Sequence, residues 1–343
     1  MSYASLRITF YESGIGETIV IEFPNDTIGV VDAHPAGRSG RGDILDIIGQ
    51  RSVEFVCLTH PHADHGRDLI KIIHNSNVRE FWHSLSPISL FVYYLEQYAT
   101  FPSHLKHVAT SESQTWAQFM LDLLNAVSQK GLTDRPFNES HKPIDISGVR
   151  LHFLAPSEAF ANSENKRLID ALSRSSTEPL DPNDFSIIMA VEYGQSVVVL
   201  GSDAKHKAWR VAAESFRRAN LPKAVGLKIP HHGALNAFDL RPGDKHPLPI
   251  NCWHLCRQAF DAVLFAGTTA HPNKKVHKAL SKRPIRLHSL FHLEETIDDP
   301  NPLRIRFPEA TVIRRRPRRP QYSSVTFVIP YDGDLEVTFK DAA

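Results

Sequence analysis

One run of six residues limits what this chain can be more than any other feature: His60-Pro61-His62-Ala63-Asp64-His65. It stands at the end of Val53-Glu54-Phe55-Val56-Cys57-Leu58, a short and mostly apolar stretch that reads as a strand buried on both faces. Three imidazoles crowded together compete for few acceptors, and imidazole with carboxylate is a typical donor set for Zn²⁺. Along an extended turn, alternate side chains point the same way, so His60 and His62 can share one ion. As the chain bends into a helix expected from about Arg67 to His74, Asp64 and His65 face a second ion. Asp64 is thus both a candidate metal ligand and a candidate catalytic residue.

Other apolar stretches end in residues of the same chemistry. Asp203 closes Val199-Leu200-Gly201-Ser202-Asp203, where it either bridges two metals roughly 3.5–4 Å apart or caps the helix that follows. His231-His232-Gly233 follows Leu227-Lys228-Ile229-Pro230; one histidine completes a metal position and its neighbour faces substrate or a supporting group. Asp32, in Val30-Val31-Asp32, is either a strand-end turn residue or a carboxylate that orients the ligand histidines. His271, after another apolar stretch, is a candidate general acid or oxyanion donor, or a plain loop histidine before a helix.

The 343 residues carry 42% hydrophobic and 22% charged side chains, the balance of a globular protein rather than a disordered one. A net charge of +1 gives no global pull toward nucleic acid or membrane, so any basic surface is local. One local run is Arg314-Arg315-Arg316-Pro317-Arg318-Arg319, which either contacts phosphates or protects a sheet edge. No apolar stretch approaches the roughly 20 residues of a membrane span. The start, Met1-Ser2-Tyr3-Ala4-Ser5-Leu6-Arg7, lacks the features of a signal peptide. Three cysteines make no disulfide framework, and a reducing cytoplasm is the expected location. Cys252 and Cys256, four apart, read as a buried helix face rather than a zinc half-site. Trp82, Trp116, Trp209 and Trp253 read as packing residues.

Strand patterns cover 6–12, 18–23 and 28–32 as an antiparallel meander, with Gly14-Ile15-Gly16 as a turn. The stretch 84–131 has helical spacing and 144–154 reads as a hairpin. Residues 157–183 read as a polar loop. Strands at 186–193 and 196–200, a helix from Ala204, a strand at 224–229, a strand at 261–266 and a helix at 274–281 follow. Strands again fill the region from Leu303 to Phe339. This succession predicts an α+β chain with two sheets face to face between helical layers.

The order Asp32, His60-x-His62-x-Asp64-His65, Gly201-x-Asp203 and Pro230-His231-His232-Gly233 resembles the metallo-β-lactamase superfamily. Asn183-Asp184-Phe185-Ser186, Tyr193-Gly194 and His271-Pro272 add a resemblance to the hydrolase domain of bacterial DNA-uptake proteins of the ComEC type. The resemblance covers about 6–80 and 183–282. It implies a four-layer αββα sandwich in one domain, 1–343, with a helical insert at about 84–143 and a β-rich extension at about 300–340. It implies His232 rather than His231 as ligand, and Asp203 as the bridge. The superfamily's usual third histidine for the first metal is replaced by Asn183, Asp184 and Ser186, with His152 upstream. One or two Zn²⁺ ions, or Mn²⁺, are the implied cofactors. The implied activity is phosphodiester hydrolysis on nucleic acid or nucleotides. Hydrolysis of a small lactam, lactone or thioester is the alternative, as is a metal-binding regulatory subunit. The insert offers a surface for a protein partner.

Overall fold

The computed structural model describes residues 4–14, 16–35, 42–84, 111–163, 181–238, 251–265, 272–280, 284–290, 305–307, 310–312 and 322–341. The first sheet starts with a meander of β1 (Leu6–Tyr11), β2 (Thr18–Glu22) and β3 (Ile28–Ala33). It continues through β4 (Val53–Leu58), β5 (Val78–His83) and β6 (Thr133–Pro136). Helices α1 (Ile44–Ile48), α2 (Ala63–Asn75) and α3 (Ser111–Lys130) belong to this half. The second sheet contains β7 (Ile144–Ile146), β8 (Val149–Ala155), β9 (Ile188–Tyr193), β10 (Ser196–Leu200) and β11 (Ala224–Lys228). Helices α4 (His206–Arg218), α5 (Asn251–Leu255) and α6 (Lys274–Leu280), with strands β12 (Cys256–Leu264) and β13 (Ile285–Ser289), complete that half. A small separate hairpin, β14 (Ile305–Phe307) and β15 (Ala310–Val312), precedes β16 (Tyr322–Ile329) and β17 (Glu336–Asp341).

Strand order is β17-β16-β1-β2-β3-β4-β5-β6 in one sheet and β13-β12-β11-β10-β9-β8-β7 in the other. The chain's last strands thus return to its first: β16 runs antiparallel to β1, with Leu6 opposite Ile329. Each sheet is antiparallel on one side and parallel on the other, with β3 to β6 parallel in the first and β10 to β13 in the second.

Alternation along the central strands explains the layers. Val30 and Val56 pack toward α1, α2 and α3, while Val31 and Cys57 point to the other sheet. Val198 faces between the sheets and Val199 packs against the second helical layer with Trp209 and Phe216. Both faces being covered, these strands are continuous apolar runs. Three apolar clusters lie between four layers, an αββα sandwich. Trp82 stacks on Phe55 with ring centroids 3.6 Å apart, and Trp82, Trp209 and Trp253 are all buried.

The structure adds two strands that the sequence pattern did not suggest, β5 and β6, and starts α2 at Ala63, inside the histidine run. Cys252 lies on α5 but Cys256 begins β12, so the two share no helix face. Of the helical stretch at 84–131, only α3 falls within the described residues; 85–110 lie outside them, as does the basic run 314–319. No helix of the described residues is long and apolar enough to cross a membrane.

Gly194, in the turn between β9 and β10, has φ 59°, and a Cβ there would lie 1.8 Å from the carbonyl oxygen of Tyr331. The turn therefore seats directly on the chain that links β16 to β17. Gly194→Ala is expected to cost more than about 2 kcal/mol, through left-handed strain and a backbone clash together. The shift in denaturation midpoint measures it.

Candidate metal centre

Ligands of open α/β sheets gather outside the carboxyl ends of parallel strands. Here that edge carries Asp32 at the end of β3, the histidine run after β4, Asp203 after β10 and His231-His232 after β11. Asp32, Ser202, His231 and His232 all have positive φ, at 53°, 44°, 47° and 49°. Non-glycine residues held in this region cost of order 1–3 kcal/mol each, and such strain clusters at functional sites.

Asp32 is fully buried and saturated with donors. Its Oδ1 accepts from the Thr59 amide at 2.9 Å, and its Oδ2 accepts from Thr59 Oγ1 at 2.7 Å and from His65 Nδ1 at 2.8 Å. Its carboxylate thus ties the His65 ring to the start of the histidine run. With Nδ1 committed to Asp32, the nitrogen of His65 available to an ion is Nε2. That Nε2 has no hydrogen-bond partner and lies 3.7 Å from Asp203 Oδ2.

Asp203 is where the site converges. The Nε2 atoms of His65, His231 and His232 all stand 3.7 Å from its Oδ2. Helix α4 starts at His206 with Lys205 at its N-cap, so the Asp203 carboxylate is not committed to capping. Four donor atoms, one each from Glu17, His65, Asp203 and His232, lie within 4.8 Å of one another, and all four residues are buried. Ligand atoms on opposite sides of an ion at roughly 2.1 Å are about 4.2 Å apart, so small adjustments close this set on a single ion. Two imidazoles and two carboxylates suit Zn²⁺ or Mn²⁺.

Glu17 is the ligand candidate that sequence reasoning missed. It stands just before β2, on a different element from every histidine. Its amide donates to the Asp64 carbonyl at 3.4 Å. Gly16 permits this approach, because a Cβ there would meet that same carbonyl oxygen at 2.1 Å. The signal available was a lone acid after a Gly-x-Gly turn, opening an apolar strand. Lys228 was also overlooked. It is fully buried, donates to the Ser202 carbonyl at 2.8 Å, pairs with Glu17, and lies 3.6 Å from Asp203 Oδ1.

Burial pushes the Glu17 carboxyl up to about 7, against the pull of Lys228. Burial disfavours the charged form of His65 as well, but Asp32 and Asp203 together outweigh it and hold its pKa well above the usual value. For Asp203 the imidazoles of His232 and His65, with Lys228, overcome burial and hold the carboxylate ionised. Burial keeps His232 neutral, down to about 3, and likewise lowers His60 and His62. Neutral His232, His60 and His62 beside an ionised Asp203 suit metal binding, whereas His65 and Glu17 must each give up a proton to an incoming ion, so binding releases protons.

The remaining candidates fall around this cluster rather than in it. His60 Nε2 and His62 Nδ1 are hydrogen-bonded to each other at 3.0 Å, and His60 Nδ1 contacts Thr59 Oγ1 at 3.1 Å. Asp64 contributes its carbonyl to the Glu17 turn, and its carboxylate is not one of the four converging donors. His231 is partly exposed, at 14% of its side chain, between Asp203 and solvent. Near the place of the usual third histidine, Asn183 Oδ1 and Ser186 Oγ are buried without hydrogen-bond partners, and Asp184 pairs with Lys205 at 2.8 Å. His152 is engaged by Glu192 at 2.7 Å. His271 lies outside the described residues.

No family model and no curated protein matches this chain. Among solved structures it is similar to Igni18, a metallo hydrolase from Ignicoccus hospitalis KIN4/I, at 13% identity and TM-score 0.43, covering 82% of this chain and 95% of that one. It is similar to Zn²⁺-bound PqqB from Methylobacterium extorquens at 9% identity and TM-score 0.45, covering 82% and 97%. It is also similar to a mutant CmlA β-hydroxylase at 10% identity and TM-score 0.37; 65% of this chain matches, spanning about a third (35%) of that protein's length.

Proposed function

We propose that this chain is a metal-dependent hydrolase of phosphodiesters in nucleic acid or nucleotides, working at the edge where β3, β4, β10 and β11 end. The observation that carries the metal reading is the buried convergence of Glu17, His65, Asp203 and His232. Buried groups of this kind are otherwise hydrogen-bonded to one another, and His65 Nε2 is not. A divalent ion there supplies a water of lowered pKa and a Lewis acid for the developing charge.

The chain's own residues divide the remaining work. Asp32 holds the His65 tautomer and ring plane. Asp203 keeps three imidazoles aimed at one point. His231, at the boundary with solvent, is placed to hydrogen-bond a substrate oxygen or pass a proton to the leaving group. His60 and His62 line the same edge, with Asp64 beside them, and His271 is proposed as a further proton donor. The choice of phosphodiesters, and of Mn²⁺ beside Zn²⁺, comes from the resemblance to the DNA-uptake hydrolase domain. The run Arg314–Arg319 is proposed to contact substrate phosphates, and the stretch about 84–143 to form an insert able to dock a protein partner in the cytoplasm.

Cleavage of bis(p-nitrophenyl) phosphate and of single- or double-stranded DNA, with added Zn²⁺ or Mn²⁺ and abolished by EDTA, is the expected result. Metal-loaded protein that cleaves none of these overturns the substrate assignment. His231→Ala is expected to lower kcat by about 10²-fold while leaving the metal content unchanged, since it removes a proton-handling group and no ligand.

A further inference from the structure

Asp203 offers its two oxygens to different partners. Oδ2 faces the three histidine nitrogens, while Oδ1 faces the ammonium of Lys228 at 3.6 Å. The same ammonium pairs with Glu17 and donates to the Ser202 carbonyl. It lies on the inner side of the ligand cluster, without solvent contact, and Phe265 lies beneath it at 5.8 Å. A carboxylate that bridges two metals needs both ions within reach, and here a fixed organic cation stands on one side.

Resting on the metal-centre reading above, we infer that Lys228 is the built-in second cation of this site. The centre takes one divalent ion, held by Glu17, His65, Asp203 and His232.

Charge balance supports a single ion. Three carboxylates are buried together, from Glu17, Asp32 and Asp203. Lys228 neutralises one, and one divalent ion with neutral imidazoles neutralises the other two. A second ion adds two uncompensated charges beside buried groups, and burying unpaired charge is costly. Donor supply points the same way. Among the described residues, Glu17, His65, Asp203 and His232 form the one group that converges for a metal, and His60 and His62 are engaged with each other. Glu17 thus acts twice: it is the fourth ligand, and it anchors the cation that takes the second ion's place.

Co²⁺ titration followed by visible absorption, with metal content by mass spectrometry, tests this without turnover. Wild type is expected to saturate at one Co²⁺ per chain. Glu17→Gln alone strands a buried ammonium, so the informative protein is Glu17→Gln with Lys228→Met, which removes both members of the pair. Circular dichroism should show it folded, with Co²⁺ affinity at least about tenfold weaker. Lys228→Met alone, folded, is expected to bind Co²⁺ more tightly, because a neighbouring positive charge is gone. Saturation of wild type at two ions, a double variant with wild-type affinity, or a folded Lys228→Met protein that binds no tighter overturns the inference. Failure to cleave phosphodiesters leaves these results intact and counts against the substrate assignment alone.

Discussion

Asp203→Ala is expected to leave the purified protein without its divalent ion and to reduce phosphodiester hydrolysis by at least about 10³-fold. Among the described residues, it is the side chain on which the site's charged groups converge. Its Oδ2 is the common neighbour of His65, His231 and His232, and its Oδ1 faces Lys228. Removing the carboxylate takes a proposed ligand away and leaves Lys228 balanced by Glu17 alone. Asp203 does not cap α4, whose N-cap is Lys205, so its removal takes no helix cap away. Asp203→Asn keeps the shape and removes the charge, and should lose metal almost as completely. Metal content and hydrolysis rate, measured on protein of wild-type circular dichroism, check both variants.

A large stability effect is expected at Asp32. Asp32→Ala orphans three donors at once, the Thr59 amide, Thr59 Oγ1 and His65 Nδ1, all on buried residues. Truncating one member of a buried charged network costs about 3–5 kcal/mol. Alanine also tolerates poorly the φ of 53° that Asp32 adopts. Asparagine adopts that conformation readily, so Asp32→Asn should recover much of the fold. It should still bind metal about 10–100-fold more weakly, because its amide cannot accept from all three donors. Urea denaturation midpoints and metal affinities separate the two losses. A midpoint for Asp32→Ala within the error of wild type would show that Asp32 is dispensable to the edge it organises.

The contrast between what was legible and what was not follows from burial and from distance along the chain. Strands β3, β4, β10 and β11 could be read because both their faces are covered, which forces unbroken apolar runs. Their ends could be read because His60 to His65, Asp203 and His231-His232 each carry metal-competent side chains at a point where an apolar run stops. Strand β5 was hidden because Arg79 and Glu80 interrupt it. In the fold these charges are satisfied across strands, Arg79 by Glu54 at 2.7 Å and Glu80 by Arg135 at 2.8 Å. Strand β6, at the sheet edge, is largely exposed and carries a proline, so it has neither apolar run nor alternation.

Glu17 was not recognised as part of the site because its position depends on tertiary closure. The β1–β2 turn reaches the histidine run only through the absent side chain of Gly16 and the hydrogen bond to the Asp64 carbonyl. Lys228 was visible as the one charge in an otherwise apolar strand, yet its partners lie on β10 and before β2. Sequence spacing alone assigns neither. The run His60 to His65 lies on the sheet edge, and the structure brings His65 of that run, with three residues from elsewhere, to the point of convergence.

The most direct measurement joins metal content and catalysis on the same preparations of wild type and His232→Ala. Wild type should retain one Zn²⁺ or Mn²⁺ per chain and hydrolyse bis(p-nitrophenyl) phosphate. His232→Ala, folded, should lose both. A His232→Ala protein that keeps the wild-type ion and the wild-type rate would contradict the assignment of this buried cluster as the catalytic metal centre.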